Sequence, residues 1–277
     1  MKRSLALLAI AVVTGIAAAG ANGKTNPRPV LGVTTSPASA PAWSAALATP
    51  VGVLANFISW SRPFPYGDYL RSIPDAMTPM LTWQPNPAGG NAAIAAGNDD
   101  PLILQTAQSM AAAGRPIYLR YAHEMNGSWY PWSEGSPATY VAAWQHVYTL
   151  FRSAGASNVR FIWSPNAAGQ TTRSFLASIR PYWPGRRYVN RVGLTTIESH
   201  GSVNRYLKAL DALHAAYPRK PVTLPEFNGT TLPWITQFAN GIQARPWIEL
   251  LVWYEKPSYG TLLDRPALAH ALQAALR

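Results

Sequence analysis

The stretch PIYLRYAHEMNGSWYPW, residues 116–132, joins an apolar run to a segment of polar and aromatic residues. The apolar run, residues 116–121, predicts a short buried strand that ends where the polar residues begin. Glu124 follows this strand directly. In sheets of parallel strands, functional side chains lie at and just beyond the strand ends, so Glu124 is a candidate functional residue.

Runs of the same kind recur along the chain and alternate with longer segments that have helical spacing. This alternation predicts repeated β-α units around a parallel sheet, and eight such units close a barrel. The sequence therefore predicts the α/β class, with a single (β/α)8 TIM barrel. The predicted strands are residues 30–34, 56–60, 77–83, 116–121, 159–163, 191–196, 222–224 and 248–253.

Capping residues, and proline at the first helical position, mark the boundaries of the clearest predicted helices. These helices cover residues 100–114, 136–155, 203–217 and 265–277. In the second of them, Tyr140, Trp144 and Phe151 share one face. Helical spacing of this kind is typical of a face that packs on a sheet, so these aromatics are predicted to be core residues.

The chain has 277 residues, of which 48% are hydrophobic, and this is enough for one large core. Residues 1–21 combine a basic start, an apolar run and small residues, which predicts a secretory signal cleaved after Ala21. A retained anchor is the less favoured alternative, because the run is shorter than the roughly 20 residues of a spanning helix. Residues 22–29 are then a linker and 30–277 the barrel domain, and we expect a secreted monomer, extracellular or periplasmic, with no membrane partner after cleavage.

The formal net charge is +11, and the chain has no cysteine. The cations are spread as singletons and pairs, such as Arg186-Arg187 and Arg219-Lys220, without a run that would track phosphates. The charge is therefore interpreted as favouring solubility, with no nucleic-acid partner and with acidic-polymer binding as the less favoured alternative. The lack of cysteine excludes disulfides, thiolate catalysis and cysteine-ligated metals.

Only twelve carboxylates occur in the chain, and two of them follow predicted strands at the same barrel mouth. Glu124 follows the fourth strand, and Glu226, in KPVTLPEFNG (residues 220–229), follows the seventh. Glycosidic cleavage uses two opposed carboxyl groups, one to protonate the leaving oxygen and one to attack the anomeric carbon or activate water. When the two carboxyl groups are about 5 to 5.5 Å apart, the configuration at the anomeric carbon is retained. When they are about 6.5 to 9.5 Å apart, it is inverted.

The segment RYAHEMNGSWYPW, residues 120–132, resembles the acid/base signature of glycoside hydrolase family 26. The resemblance continues through FIWSPN (161–166), YWPGRRYVNRVGL (182–194), the segment around Glu226 and LLVWYE (250–255). Members of that family are mainly endo-β-1,4-mannanases, with some β-1,3-1,4-glucanases and β-1,3-xylanases. The resemblance implies a TIM barrel and an activity on a β-linked polysaccharide.

Carried over by matched position, the resemblance makes Glu124 the general acid/base and Glu226 the nucleophile. His123 is then expected to orient substrate or nucleophile. Trp129 and Trp253 are expected to form the floor and wall around the cleaved sugar, because the face of an aromatic ring suits the apolar C–H groups of a pyranose.

Four further residues are expected to contribute to substrate binding. Arg120 and Asn126 lie in the same signature and are expected to position the carboxylates, and Arg120 would also keep Glu226 ionised. Trp60 and Trp83 end the second and third predicted strands. They either extend the sugar platform or pack at the top of the barrel.

The chain departs from the family pattern at two places. The sixth strand of the family commonly ends in Gly-x-Asp-x-Tyr, whereas here Gly193 is followed by residues that place Ile197 at the tyrosine position. Gln84 replaces a frequent glutamate. Glu198 is a rival functional carboxylate that could replace the missing tyrosine, although a solvated loop charge is the favoured interpretation, and Glu255 is interpreted as a rim residue.

Histidine and carboxylate residues show no spacing typical of a metal site, so neither a metal nor another cofactor is expected. The sequence favours a retaining endo-acting hydrolase of β-1,4-mannan. A β-1,3-1,4-glucanase or β-1,3-xylanase of the same fold is the alternative, and a barrel that binds glycans without cleaving them is a rival from another class. Trimming of a polymer made by the same cell is a further possibility on which the sequence is silent.

Overall fold

The computed structural model describes residues 28–60, 66–167, 171–256 and 261–276. The predicted signal and most of the predicted linker lie outside the described residues. Among the residues that are described, no helix combines the length and apolarity needed to cross a membrane.

Eight parallel strands form a closed barrel in sequence order, and β1 pairs with β8 to complete it. The prediction of a single (β/α)8 TIM barrel is confirmed. The strands are β1 (Val30–Thr34), β2 (Val53–Ser59), β3 (Thr78–Gln84), β4 (Ile117–Tyr121), β5 (Val159–Trp163), β6 (Arg191–Ile197), β7 (Val222–Asn228) and β8 (Ile248–Trp253).

Helices follow the strands and cover the outside of the barrel. They are α1 (Ala40–Ala46), α2 (Tyr66–Ser72), α3 (Gly90–Ala95), α4 (Asp100–Ala112), α5 (Pro137–Ser153), α6 (Thr172–Ile179), α7 (Val203–Ala216), α8 (Leu232–Gln243) and α9 (Pro266–Leu276). Ser136 caps α5 as predicted, because its side chain accepts a hydrogen bond from the backbone of Thr139. Asp100 lies inside the first turn of α4 rather than at its cap.

The core has two parts. A small cluster of Val53, Ala55, Met80, Ile162, Leu250 and Val252 fills part of the barrel interior. A larger cluster lies between strands and helices, and it contains the predicted core aromatics Tyr140, Trp144 and Phe151, which are at most 1% exposed. Their assignment to packing is confirmed.

The seventh strand is longer than predicted, and this affects the position of Glu226. The predicted strand ended at Leu224, whereas β7 continues to Asn228 and therefore includes Glu226. Its pairing with β8 shifts register between Leu224 and Phe227. Such irregularities re-aim side chains next to functional sites.

Candidate active site

The backbone turns sharply where β4 ends, and this turn carries Glu124. Ala122 and Glu124 have φ values of 43° and 55°, in the left-handed region that residues with a Cβ rarely adopt. The backbone N–H of Glu124 donates to the carbonyl of Ser164 at 2.7 Å, and that of Gly127 donates to the carbonyl of Glu124 at 2.9 Å. Strained backbone of this kind persists when its surroundings hold it, and it is concentrated at functional sites.

Arg120, in β4, joins the two candidate catalytic carboxylates. Its Nη1 lies 2.6 Å from Oε2 of Glu226, and its Nη2 lies 3.9 Å from Oε1 of Glu124. The guanidinium is fully buried, while the two carboxylate side chains are 12% and 8% exposed. Because both carboxylates lie beside one small planar group, they are no farther apart than the roughly 9.5 Å that glycosidases use.

Burial and charge act in opposite directions on Glu226. Burial raises the pKa of its carboxyl group, and the positive charge of Arg120 and their hydrogen bond lower it again, with the net direction upward. The negative charge of Glu124 adds to the increase, and Lys256 opposes it. Arg120 is therefore the group that most favours the ionised form of Glu226.

Trp129 lies at the cleft and contacts Glu124. Its indole Nε1 donates to Oε2 of Glu124 at 2.8 Å, and its side chain is among the few large hydrophobic ones that are exposed, at 53%. The hydrogen bond fixes the carboxylate, and the exposed ring offers an apolar surface beside it. Its position agrees with the expected contact to a sugar.

His123 lies beneath the cleft rather than in its wall. The side chain is fully buried, and burial together with the charge of Arg120 lowers its pKa well below the ordinary value, so the ring is neutral. Its Nε2 is 3.2 Å from the hydroxyl of Tyr130, which does line the cleft. The expectation that His123 itself contacts substrate is corrected to a role in positioning Tyr130.

Asn126 connects two loops and does not contact either carboxylate. Its Nδ2 donates to the carbonyl of Asn166 at 2.8 Å, and its Oδ1 accepts from the backbone N–H of Asn166 at 2.9 Å. A further bond at 3.1 Å reaches Ser178. Its expected place among the substrate-binding residues is corrected to holding the loop after β5 against the loop after β4.

Three tryptophans that were expected at the sugar lie in the core. Trp60 and Trp83 are 2% and 1% exposed and stack on each other at 4.4 Å, so the packing alternative applies to both. Trp253 is 1% exposed and donates through Nε1 to Glu255 at 2.9 Å. An indole without an open face cannot stack on a sugar, so the expectation for Trp253 is wrong, and the sugar-platform alternative does not apply to Trp60 and Trp83.

The cleft is a cavity of about 460 Å³ at the C-terminal edge of the barrel, and Glu124, Trp129 and Glu226 line it. Sequence reasoning missed several other lining residues: Tyr130, Asn166, Thr195, Ile197, His200, Tyr254 and Lys256. Tyr130 could have been predicted, since it lies directly after Trp129 in the segment of residues 116–132. Burial and the two carboxylates raise the pKa of Tyr130, which keeps its hydroxyl protonated and able to donate.

Two residues of β6 stand where the family pattern has Asp and Tyr, and both lie at the cleft. Ile197, at the expected tyrosine position, lines the cleft as an apolar side chain. Thr195, which pairs with Glu226 in the barrel register, accepts a hydrogen bond from Nη2 of Arg120 at 2.7 Å. Glu198 does not replace the tyrosine, because its carboxylate binds Thr230 and Thr231 at the start of α8.

Within the described part of the chain, no group of histidine, cysteine and carboxylate side chains is arranged to hold a metal ion. The side chains gathered at the cleft are the two carboxylates, the arginine beside them and the surrounding aromatic residues.

Comparisons with known proteins identify the family and the fold. The family model described as glycosyl hydrolase family 26 matches residues 93–255. Endoglucanase H of Acetivibrio thermocellus is 33% identical over 218 residues, which cover 69% of this chain and 23% of the relative. β-1,3-xylanase TXYA of Vibrio sp. is 32% identical over 104 residues, 35% of this chain and 19% of the relative. The chain thus spans less than a quarter of these curated relatives.

Solved structures show the same fold. A modular endo-β-1,4-mannanase from Cellulomonas fimi superposes with a TM-score of 0.70 at 18% identity, covering 90% of this chain and 70% of that one. A family 26 β-mannanase from Bacteroides ovatus superposes with a TM-score of 0.66 at 16% identity, covering 90% and 88%.

A closed (β/α)8 barrel with two carboxylates at its C-terminal mouth defines a glycoside hydrolase of the TIM-barrel class. Within that class, the chain belongs to glycosyl hydrolase family 26.

Proposed function

We propose that the protein cleaves internal linkages of a β-linked polysaccharide by double displacement. Glu226 attacks the anomeric carbon while Glu124 protonates the departing glycosidic oxygen, which leaves a glycosyl ester on Glu226. Glu124 then removes a proton from water, which hydrolyses the ester with overall retention.

The contact of both carboxylates with the one buried guanidinium of Arg120 carries this proposal. The guanidinium favours an ionised Glu226, as a nucleophile requires, and Trp129 orients Glu124. A barrel that only bound glycan would gain nothing from two opposed carboxylates around a buried charge.

For the substrate, we propose a β-glucan ahead of β-1,4-mannan, the first expectation from the sequence. The 218-residue match at 33% identity is with a protein named endoglucanase H, which favours glucan. The solved mannanases share the fold, but at 18% and 16% identity they say little about contacts with individual hydroxyl groups. Specificity of this kind depends on a few such contacts.

Two variants and a panel of polymers test the proposal. Purified protein is assayed on lichenan, mannan, galactomannan and xylan, and the configuration of the first product is followed by NMR. We expect cleavage of lichenan with retention and loss of that activity in Glu226→Ala. Glu124→Ala should lose activity on polymers but recover it on aryl glycosides with good leaving groups, where azide gives a β-glycosyl azide.

Asp75→Ala is the matched control, because this carboxylate is fully exposed at the opposite edge of the barrel. It should retain wild-type activity. Inversion, or full activity in Glu226→Ala, would contradict the mechanism. Cleavage of mannan without cleavage of lichenan would retain the mechanism and overturn the glucan assignment.

A further inference from the structure

The fold gathers cations that are scattered in the sequence. The segments that enter β5, β6 and β7 carry exposed or half-buried basic side chains. Because the N-terminal ends of neighbouring parallel strands lie at one edge of a barrel, these side chains share the edge opposite the cleft. We call this set the basic edge: Arg160, Arg180, Arg186, Arg187, Arg219 and Lys220.

The nearby acidic side chains are already paired with other arginines. Asp211 binds Arg245 at 2.6 Å, and Glu249 binds Arg191 at 2.8 Å. Among the described residues, no member of the basic edge forms an ion pair with a carboxylate. The basic edge therefore carries uncompensated positive charge.

Internal contacts hold parts of the basic edge in place. The Nζ of Lys220 donates to the carbonyl of Arg186 at 2.7 Å and also to that of Val189. The guanidinium of Arg187 lies 4.8 Å from the ring centre of Tyr188. A surface whose backbone is fixed loses less conformational entropy when it binds a ligand than a mobile loop does.

We propose that the basic edge binds an acidic polysaccharide whose sugars carry carboxylate groups. Five of its six members are arginines, and the planar guanidinium matches a carboxylate in two parallel hydrogen bonds. Three adjacent strand ends form a broad surface, which suits an extended polymer. The cleft at the other edge remains open, so the bound polymer does not compete with the substrate.

Two other anionic partners fit this surface less well. The exposed large hydrophobic side chains of the described chain are Val30, Trp129, Leu232 and Leu263, none of which belongs to these segments. A lipid surface is usually bound with the help of such side chains. Single-stranded nucleic acid is bound by stacking on free aromatic faces, but Arg187 lies over Tyr188, and Trp183 and Tyr217 stack on each other at 4.2 Å.

Binding to polygalacturonate tests the proposal with the full chain. The test variant is Arg186→Ser, Arg187→Ser and Arg219→Ser together. The control removes three exposed cations from the helix segments nearer the cleft, as Arg173→Ser, Arg205→Ser and Lys208→Ser. We expect wild type to bind in low salt and to weaken as salt is added. The test variant should bind at least roughly fivefold more weakly, and the control should change less than roughly twofold.

Methyl-esterified polygalacturonate, duplex DNA and vesicles containing phosphatidylglycerol complete the experiment. The neutral ester should not bind, and DNA and vesicles should bind more weakly than polygalacturonate. Equal losses in the two triple variants, equally tight binding of DNA or vesicles, or no binding of polygalacturonate would each overturn the proposal. Hydrolysis of a soluble neutral glycan by the test variant should match wild type. Because binding at the basic edge and hydrolysis in the cleft are measured separately, the two proposals can fail independently.

Discussion

The guanidinium of Arg120 is fully buried and lies 2.6 Å from Glu226, so the two charges stabilise each other where water reaches neither freely. Removing one member of a buried pair leaves the other charge uncompensated, at a cost of about 3 to 5 kcal/mol if that charge persists. A carboxyl group can avoid the cost by binding a proton. Loss of Arg120 should therefore appear as a change in the pH dependence of activity.

We expect Arg120→Gln to move the acidic limb of the kcat/KM profile to higher pH. Arg120 lowers the pKa of Glu226, so its removal raises that pKa further, and protonated Glu226 cannot attack. A shift of about one to three pH units is expected. Arg120→Lys should shift the limb less, and Arg205→Gln, which alters an exposed cation, should not shift it. An unmoved or acid-shifted limb in Arg120→Gln would contradict this role.

The two candidate catalytic carboxylates at the cleft were predictable from sequence, while the cleft residue that directly follows β8 was not. Glu124 and Glu226 are rare carboxylates near strand ends, and the family resemblance distinguished them from Glu198 and Glu255, which also follow strands. Strands of a parallel barrel are buried on both faces, and their apolar runs do not alternate to show which side chain points inward. The family resemblance pointed to Trp253, and the apolar run gave no reason to prefer its neighbour Tyr254, which the structure places in the cleft.

At the scale of elements, the start of α8 is held by a side chain from the loop after β6. The carboxylate of Glu198 accepts hydrogen bonds from the backbone N–H and hydroxyl groups of Thr230 and Thr231. An acidic group at a helix N-terminus accepts hydrogen bonds from unpaired N–H groups, and its negative charge interacts favourably with the helix dipole. Glu198 is a largely exposed loop charge, as interpreted from sequence, but it also bonds partners 32 and 33 residues further along the chain, which the sequence did not indicate.

Glu198→Gln should lower thermal stability near neutral pH by about 1 to 3 °C, since the group is largely exposed and its bonds are screened. Partial burial opposes ionisation, but the bonds from Thr231 and Thr230 together lower the pKa of Glu198. The contribution is therefore present above the unfolded pKa of about 4.3 and is lost as pH falls through the lower folded value.

Thermal unfolding followed by circular dichroism at neutral and acidic pH measures this difference. Glu134→Gln, at an exposed glutamate in the loop before α5, makes the same chemical change and should leave the melting temperature unchanged. A difference that persists unchanged below the folded pKa would show that Glu198 stabilises α8 by some means other than its charge.

The shortest helices were not identified from sequence. The helices α1, α2, α3 and α6 contain between six and eight residues. Helical hydrophobic periodicity can be recognised in windows of about 11 to 18 residues. These segments were too short to show it. The longer helices α5 and α7 were found close to their observed positions.

At the scale of the whole molecule, the distribution of charge depends on the fold. The cations were spread along the sequence, but each helix of a (β/α)8 barrel ends at the same edge at which the next strand begins. Basic residues are favoured at helix C-termini by the helix dipole. Arg152 in the last turn of α5 and Arg180 directly after α6 illustrate this preference. A fold with this connectivity therefore collects at one edge the cations that lie at separate helix ends and strand starts.

Closure of the barrel depends on a residue without a side chain. Gly32 in β1 lies opposite Val53 of β2 and Val252 of β8. A Cβ at Gly32 would be 2.9 Å from the Cβ of Val53, 3.0 Å from its carbonyl oxygen and 3.0 Å from Cγ2 of Val252. Two of these three atoms are fixed by the backbone of β2, so a methyl group must push strands apart where the sheet closes on itself.

We expect Gly32→Ala to lower the free energy of unfolding by about 1 to 3 kcal/mol, as overpacking of a dense core does. Urea unfolding should show a lower midpoint with an unchanged slope, because the surface exposed on unfolding is the same. Gly67→Ala, in helix α2, places its methyl group 3.2 Å from the exposed end of the Arg71 side chain and should be neutral or slightly stabilising. Equal stability of Gly32→Ala and wild type would mean that β1 can move away from β2 without cost, and close packing at the seam between β1 and its two neighbours would then not be what holds the barrel closed.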